Sequence, residues 1–431
     1  MRINGVVAYW VAAASMFVAV FPTAQALADE PAPAVASGAE AASTASSTQP
    51  SSQPAEETWP PGLLMKLLES EKVGVGKAMD DLGIRAWGFV ETGFTGDLTN
   101  GQKTLFGRLY DARRANELRL NQFQLTVERP YDNTKDVDFG GRVDGVFGGD
   151  PMLTHAAGLL DHSGSGQGDD WTDVVQAYGQ AWFKTGKDSG LELTFGKFLE
   201  IAGCESAEAV YNPLYSHSYI DAFAQPTTMT GVVAKYIFNS QASAYFGVVE
   251  GWDVFQDNNN APSYIAGGTL SSAEQVGKNA RDQLAFNIIT GPEQTDNTSN
   301  FRNLVDATWT HWWTEKFSTA LNGDFGTEKN VPGFGTSDWY GLAHYATYAF
   351  DDRVSATWRT EWFADDTGSR IGRAGNFCEN TFGLNLTPWP RDGFLKNFSL
   401  RPELRWDHSD QPVFANEHDQ MTLAIDLIFK F

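Results

Sequence analysis

The chain is short of charge, of basic residues and of cysteine. Charged residues make up 20% of its 431 positions, and 31 Lys and Arg stand against 54 Asp and Glu, a formal charge of −23. Duplex binding needs clustered cationic side chains against phosphate, so nucleic acid is excluded as a partner. Two cysteines cannot build a disulfide scaffold or a Cys-rich zinc site. Beyond the N-terminal region no run approaches the ~20 apolar residues of a helical membrane span, which excludes a polytopic helical membrane protein. Catalytic signatures are missing as well. The seven His are scattered, without a His-Glu-x-x-His pair, and there is no Gly-x-Ser-x-Gly, phosphate loop or dinucleotide fingerprint. His217 between Ser216 and Ser218 is the one suggestive cluster, and it reads as a loop contact. The chain is therefore expected to be no enzyme and to carry neither cofactor nor metal. What it has in quantity is glycine, 42 residues, and aromatics, at 13%.

Three regions follow one another. Arg2, an apolar run from Val6 to Phe21 and Ala26-Leu27-Ala28 match an export signal over residues 1–28, cleaved after Ala28. Residues 29–82 open with an Ala/Ser/Thr/Pro/Glu-rich stretch to residue 57 that cannot bury a core and reads as a disordered tether. Within 62–81, Leu63, Leu64, Leu67, Leu68 and Val75 recur at roughly helical spacing, interrupted by Gly74 and Gly76. This is expected to be a short amphipathic helix acting as plug or lid, with a plain linker as the alternative.

From residue 83 to 431 the period is two. Leu423, Ile425, Leu427, Phe429 and Phe431 alternate with Ala424, Asp426, Ile428 and Lys430. Phe398, Leu400, Pro402, Leu404 and Trp406 alternate with Ser399, Arg401, Glu403, Arg405 and Asp407. Val354, Ala356, Trp358, Thr360 and Trp362 alternate with Ser355, Thr357, Arg359 and Glu361, and Val137, Phe139, Val143 and Phe147 with Asp138, Arg142 and Asp144. Alternate residues of a strand lie on opposite faces. One face is thus aromatic and apolar while the other carries both signs of charge, the pattern of a barrel with lipid outside and water inside rather than of a soluble sandwich. Two local departures stand out: His344 falls on the apolar face, and residues 117–128 change parity near Asn121, where a bulge is expected.

Sixteen segments fit: 84–94, 117–128, 136–147, 173–184, 190–199, 226–238, 241–252, 263–271, 282–291, 303–314, 317–326, 338–349, 353–364, 376–388, 397–408 and 419–431. Gly267-Gly268 dilute 263–271, but an odd count would put the C-terminus on the wrong side. Asn239-Ser240, Glu315-Lys316 and Asp351-Asp352 are assigned to short periplasmic turns, and 95–116, 148–172, 200–225 and 253–262 to long outer loops. The fold class is therefore all-β, a transmembrane antiparallel up-and-down barrel wide enough for an aqueous channel. Trp309, Trp312, Trp313, Tyr348 and Phe350 suit an interfacial girdle, and Phe429 and Phe431 a membrane-insertion signal read by the barrel-assembly machinery.

Residues 203–268 place a Glu-containing loop, Asn212, Ser216-His217-Ser218-Tyr219, Pro226, Thr230-Gly231-Val232, Gly251-Trp252-Asp253 and Asp257-Asn258-Asn259 in order. With Gly88-Phe89-Val90-Glu91, Asn121-Gln122-Phe123 and the strand from Asp138 to Phe147, this resembles the OmpL-like beta-barrel porin family (beta-barrel porin family 2) over nearly all of residues 84–431. Glu250 departs from the family pattern, which has Asn before Gly-Trp-Asp. The resemblance implies a closed barrel in a Gram-negative-type outer membrane and passive diffusion of small hydrophilic solutes.

The long connector 200–225 carries Glu200, Glu205, Glu208 and Asp221. Folded into the lumen, it would set acids against wall charges. The expected pore-lining set is Arg142, Asp144, Glu205, Glu208, Arg359, Glu361, Arg401, Glu403 and Arg405, with Asp407 on the same face, and weak cation preference follows from the acid excess. Pairing of these charges across strands is the alternative. The acidic Asn-rich stretch 253–260 lacks the ligand spacing of a calcium loop and reads as a turn. Cys204 and Cys378 both map to the outer end, and a disulfide between them is left open. The expected partners are outer-membrane lipid and small solutes and ions; a homotrimer suits a barrel of this size. A carbohydrate-selective porin and an adhesive or structural barrel without an open pore are the alternatives.

Overall fold

A computed structural model describes residues 62–69, 75–99, 101–110, 114–161, 171–272 and 281–431. The expected signal peptide and the tether to residue 57 lie outside the described residues. Sixteen strands follow in order: β1 (Arg85–Asp97), β2 (Leu118–Arg129), β3 (Val137–Gly148), β4 (Trp171–Lys184), β5 (Gly190–Leu199), β6 (Thr228–Asn239), β7 (Ala242–Val249), β8 (Ser263–Ser271), β9 (Asp282–Pro292), β10 (Phe301–Trp312), β11 (Phe317–Val331), β12 (Gly335–Ala349), β13 (Val354–Asp365), β14 (Gly375–Leu386), β15 (Phe398–Ser409) and β16 (Asp419–Lys430). Each pairs antiparallel with its sequence neighbour, and β1 pairs with β16 to close the barrel. Every expected segment is a strand, including the diluted one at 263–271.

Closure satisfies the backbone polar groups that an open edge would leave bare in lipid. The seam continues past β16, where Gly88 N donates to Phe431 O at 2.9 Å and Phe431 N returns a bond to Gly88 O at 2.8 Å. The apolar face points outward: Leu423, Ile425 and Leu427 are 53, 42 and 37% exposed, whereas Asp426 between them is 1% exposed. His344 sits on this outer face and meets Trp358 edge-on at 5.8 Å. The parity change in β2 is a bulge. Glu91 faces Gln122 while Thr92 faces Leu120, so Asn121 is the extra residue, and Asn121 and Gln122 both turn inward.

The ends of the barrel add detail to this reading and correct two points of it. The expected short helical segment is present: the described residues there form α1 (Leu63–Leu68) and α2 (Gly76–Asp81). Gly76 opens α2 against Glu69, whose Cα lies 2.4 Å from where a Cβ would stand. α1 rests on the seam, with the Met65 sulfur accepting from Ala86 N at 3.2 Å. At the short-turn end, Trp313 and Phe350 are exposed outward, but Trp312 shares the parity of Thr308 and Thr310 and lies on the inner face, outside any girdle. Finally, the interior is not uniformly polar. Ile265, Ile289, Leu304, Trp339, Phe363 and Phe377 turn inward toward the long-loop end and are at most 1% exposed. Their partners come from the loop described next.

Candidate functional site

The connector between β5 and β6, residues 200–227 (here L3), folds inside the barrel. Its middle bonds to β13, which stands eight strands from β5 in a ring of sixteen, so the loop reaches the opposite wall. Near the far end Tyr219 and the π-helical turn after it, Ile220–Ala224, present Tyr219, Ile220, Phe223 and Ala224 to the inward apolar side chains of the wall. Burial of that cluster accounts for the apolar interior at the long-loop end.

Polar wall residues hold the L3 backbone. Glu361 accepts from Tyr219 N and Ile220 N, both at 2.6 Å. Glu403 accepts from Tyr215 N and Ser216 N, both at 3.0 Å. Arg401 Nη1 donates to the carbonyls of Ala209, Asn212 and Leu214 at 2.9, 2.7 and 3.0 Å, while its Nη2 donates to Asp426 at 2.5 Å and Glu91 at 3.1 Å. Arg405 donates to His217 O at 2.5 Å. Arg359 donates to Glu379 at 2.5 Å and, through Nη1, to Glu205 and Ser216 O, both at 2.6 Å. A loop carries backbone groups that must be satisfied once buried, and here side chains of the sheet satisfy them.

The expected pore-lining residues thus all face the interior, but not in equal degree. Arg359, Glu361, Arg401, Glu403 and Arg405 lie beneath L3 at 0–2% exposure, their charges directed to the loop and to each other. On the other side of the seam, Arg142 is 13% exposed at its side chain and bridges Asp144 at 2.9 Å and Glu208 of L3 at 2.6 Å. Gln124 also donates to Glu208. Burial beside Asp144 pushes the Glu208 carboxyl up to about 7, against the opposing pull of Arg142. Burial likewise raises Asp221 above the ordinary carboxyl range despite the adjacent His217.

Among the described residues, Glu205, His217 and Asp221 bring donor atoms within 4.8 Å of one another, the arrangement that could hold a cation. The hydrogen bonds assign them otherwise. Asn212 is oriented by Ser206, whose N donates to Oδ1 and whose carbonyl accepts from Nδ2, so Nδ2 faces His217 Nε2 at 3.4 Å. The imidazole proton then sits on Nδ1 and is donated to Asp221 at 2.7 Å. Glu205 is engaged by Arg359 and Tyr345, and the Tyr110 ring covers the imidazole at 4.7 Å. The trio is a clamp that shapes L3. The stretch 253–260 forms turns as expected: Asp257 Oδ1 accepts from Asn259 N and Asn260 N, and Asp253 Oδ1 from Thr227 N and Thr228 N.

Cys204 and Cys378 are not joined in a disulfide. Cys378 is in register with Trp362 and His408 on the outer face of the wall, while Cys204 packs on the interior cluster. The wall separates them, so the open question of a disulfide is answered by strand parity.

Three contributors were not anticipated. Arg108, before β2, pairs with Asp407 at 2.6 Å, and Tyr219 OH donates to the same carboxylate at 2.7 Å. Asp306 and Asp324 stand directly opposite on β10 and β11 and accept from Gly203 N and the Gln225 amide, tying down both stems of L3. Their inward parity is legible in their strands, but their loop partners are not. The third contributor is a set of wall glycines, considered below.

A family model described as Putative beta-barrel porin-2, OmpL-like, matches residues 83–431. Comparison with curated proteins finds no match. Among solved structures, the chain is similar to the outer membrane channel DcaP of Acinetobacter baumannii, with 11% identity, 81% of this chain and 97% of that chain covered, and a TM-score of 0.52. It is also similar to OprB of Pseudomonas putida at high pH (11% identity, 84% and 97% covered, TM-score 0.51) and to the trimer form of OmpT of Vibrio cholerae (11%, 81% and 99%, 0.50). At such identities these likenesses speak for the fold alone. Matched over the whole barrel, the chain belongs to the OmpL-like beta-barrel porin-2 family, porins of the outer membrane.

Proposed function

We propose that this porin passes small hydrophilic solutes and ions by passive diffusion past L3, with weak cation preference. The observation that carries the reading is the reach of L3 to the opposite wall, which narrows the lumen at a level lined by charge. Glu91, Asp144, Glu205, Glu208, Asp221, Glu361, Glu379, Glu403, Asp407 and Asp426 cluster there against Arg108, Arg142, Arg359, Arg401 and Arg405. Acid excess at a narrowing favours cations, and low-dielectric walls sharpen the field. The more exposed Arg142–Glu208 pair contributes more to selectivity than the arginines beneath the loop. Pore lining by the nine residues named from sequence belongs to this proposal, as do cleavage after Ala28, recognition of the last strand through Phe429 and Phe431 by the assembly machinery, and a homotrimer, the form named for OmpT of Vibrio cholerae. The chain acts as a channel and not as an enzyme.

Planar-bilayer recording of refolded residues 29–431 in a KCl gradient tests it. Stepwise conductance with a cation-signed reversal potential is expected. An anion-signed potential would keep the channel and discard the charge assignment. A folded barrel without steps would leave an adhesive or structural role.

A further inference from the structure

The strand glycines of this barrel differ in what an added Cβ would meet, and most would meet the wall itself. At Gly231, Gly267 and Gly268 an added Cβ would first meet backbone of the neighbouring strand, at 2.2–2.4 Å, so their smallness serves strand packing. At three others the first atom met belongs to a side chain of L3. A Cβ at Gly93 on β1 would lie 2.2 Å from the Tyr215 hydroxyl, one at Gly341 on β12 would lie 2.7 Å from Ile220 Cγ1, and one at Gly383 on β14 would lie 2.5 Å from Leu214 Cδ2. A fourth, Gly107 before β2, stands in the same relation to Tyr219 at 2.8 Å. Four of the seven residues from Leu214 to Ile220 therefore seat on a glycine, and all four are at most 2% exposed.

The seats are supported from both sides. Asn121, turned inward by the bulge in β2, donates to the Tyr215 hydroxyl at 3.0 Å above Gly93. Arg401 holds the Leu214 carbonyl while Glu403, beside Gly383, holds Tyr215 N. Van der Waals contact at these seats fixes how far the loop stands from the wall, because interiors cannot absorb an added methyl without movement. We infer that Gly93, Gly341 and Gly383 are specificity-determining positions: they are sockets for Tyr215, Ile220 and Leu214 that set the depth of L3 and hence the limiting cross-section of the channel. This rests on the diffusion reading above.

The test pairs socket with knob. Gly383→Ala should press L3 toward the lumen axis, lowering single-channel conductance and the size limit in liposome swelling. Adding Leu214→Ala to that chain should restore wild-type conductance, since it removes the atom the methyl meets. Gly323→Ala, whose Cβ would first meet Leu342 at an ordinary 3.6 Å, should change nothing. Wild-type conductance in Gly383→Ala, or a loss that Leu214→Ala does not restore, would overturn the inference. Should the wild-type barrel not conduct at all, the diffusion reading fails, and the sockets are then judged by unfolding midpoints. Non-additive effects of Gly383→Ala and Leu214→Ala sustain them, and additive effects refute them. If Gly383→Ala does not fold, Tyr215→Ala and Leu214→Ala in the native barrel should each speed protease cleavage within L3, and unchanged cleavage would overturn the inference.

Discussion

Glu205 on L3 and Arg359 on β13 meet at 2.6 Å, with side-chain exposures of 3% and 0%. The pair spans 154 residues of sequence and fastens the loop to the far wall. Arg359 also holds Glu379, so its removal takes the nearest cation from two buried carboxylates. Breaking a buried pair from one side costs about 3–5 kcal/mol. Arg359→Met should therefore lower the unfolding midpoint of the refolded barrel by a corresponding amount, read as loss of heat-modifiable mobility at lower urea. Glu205→Gln keeps the shape and an acceptor and should cost less. Equal stability of both variants with wild type would remove this pair as an anchor.

Glu208 makes selectivity depend on pH. Its carboxyl is pushed up to about 7, so raising pH through that value adds a negative charge beside Arg142. Cation preference, read as the reversal potential in a salt gradient, should increase from acidic to mildly alkaline pH, and Glu208→Gln should flatten the profile. The stability linkage has the opposite sense. Because the folded value lies above the ordinary 4.5, the folded state binds more protons between the two, and the contribution present below 4.5 is lost as pH rises toward 7. The loss is on the order of 3 kcal/mol, and urea unfolding at the two pH extremes measures it. A pH-independent reversal potential in the wild type would place Glu208 away from the conducting path.

Arg401 tests whether a planar fork is required or only a charge. One nitrogen serves three L3 carbonyls and the other serves Asp426 and Glu91. Lysine can supply charge but not this geometry. Arg401→Lys should fold yet show noisier single-channel current as residues 209–214 loosen. Arg401→Ala, which leaves two carboxylates buried without their partner, should lose about 3–5 kcal/mol. Quiet, wild-type current in Arg401→Lys would mean that the loop is held elsewhere.

The barrel was legible because its signal is local. A strand reports its facing through alternation, and a parity change at Asn121 reports a bulge, without knowledge of any other segment. L3 was legible only as a long acidic connector. Its seat depends on pairs such as Tyr219 with Glu361, 142 residues apart, for which no periodicity exists. The same limit explains the inner apolar cluster: Trp339 and Phe363 sit on the nominally polar face, and only the arrival of Ile220 and Phe223 makes that favourable. The charges on Arg359, Arg401 and Arg405 were placed on the correct face, but their loop partners, five main-chain carbonyls and the side chains of Glu205 and Ser216, carry no mark in the sequence. Cys204 and Cys378 looked pairable from their shared place at the outer end of the barrel, whereas parity puts Cys378 on the outer face.

The outward assignment of β16 has a depth-dependent consequence. Ile425 lies in the middle of the strand with 42% exposure and Met421 nearer the long-loop end with 41%, so the two differ in height rather than in facing. An arginine on the lipid face costs ~2–4 kcal/mol at the bilayer midplane and ~0–1 kcal/mol near the interface. Ile425→Arg should destabilise the barrel in bilayers by the larger figure and Met421→Arg by the smaller. In a soluble protein the two would cost about the same, because water covers both positions. Denaturant titration in lipid vesicles distinguishes the cases, and equal costs would mean that this face does not meet a hydrocarbon core.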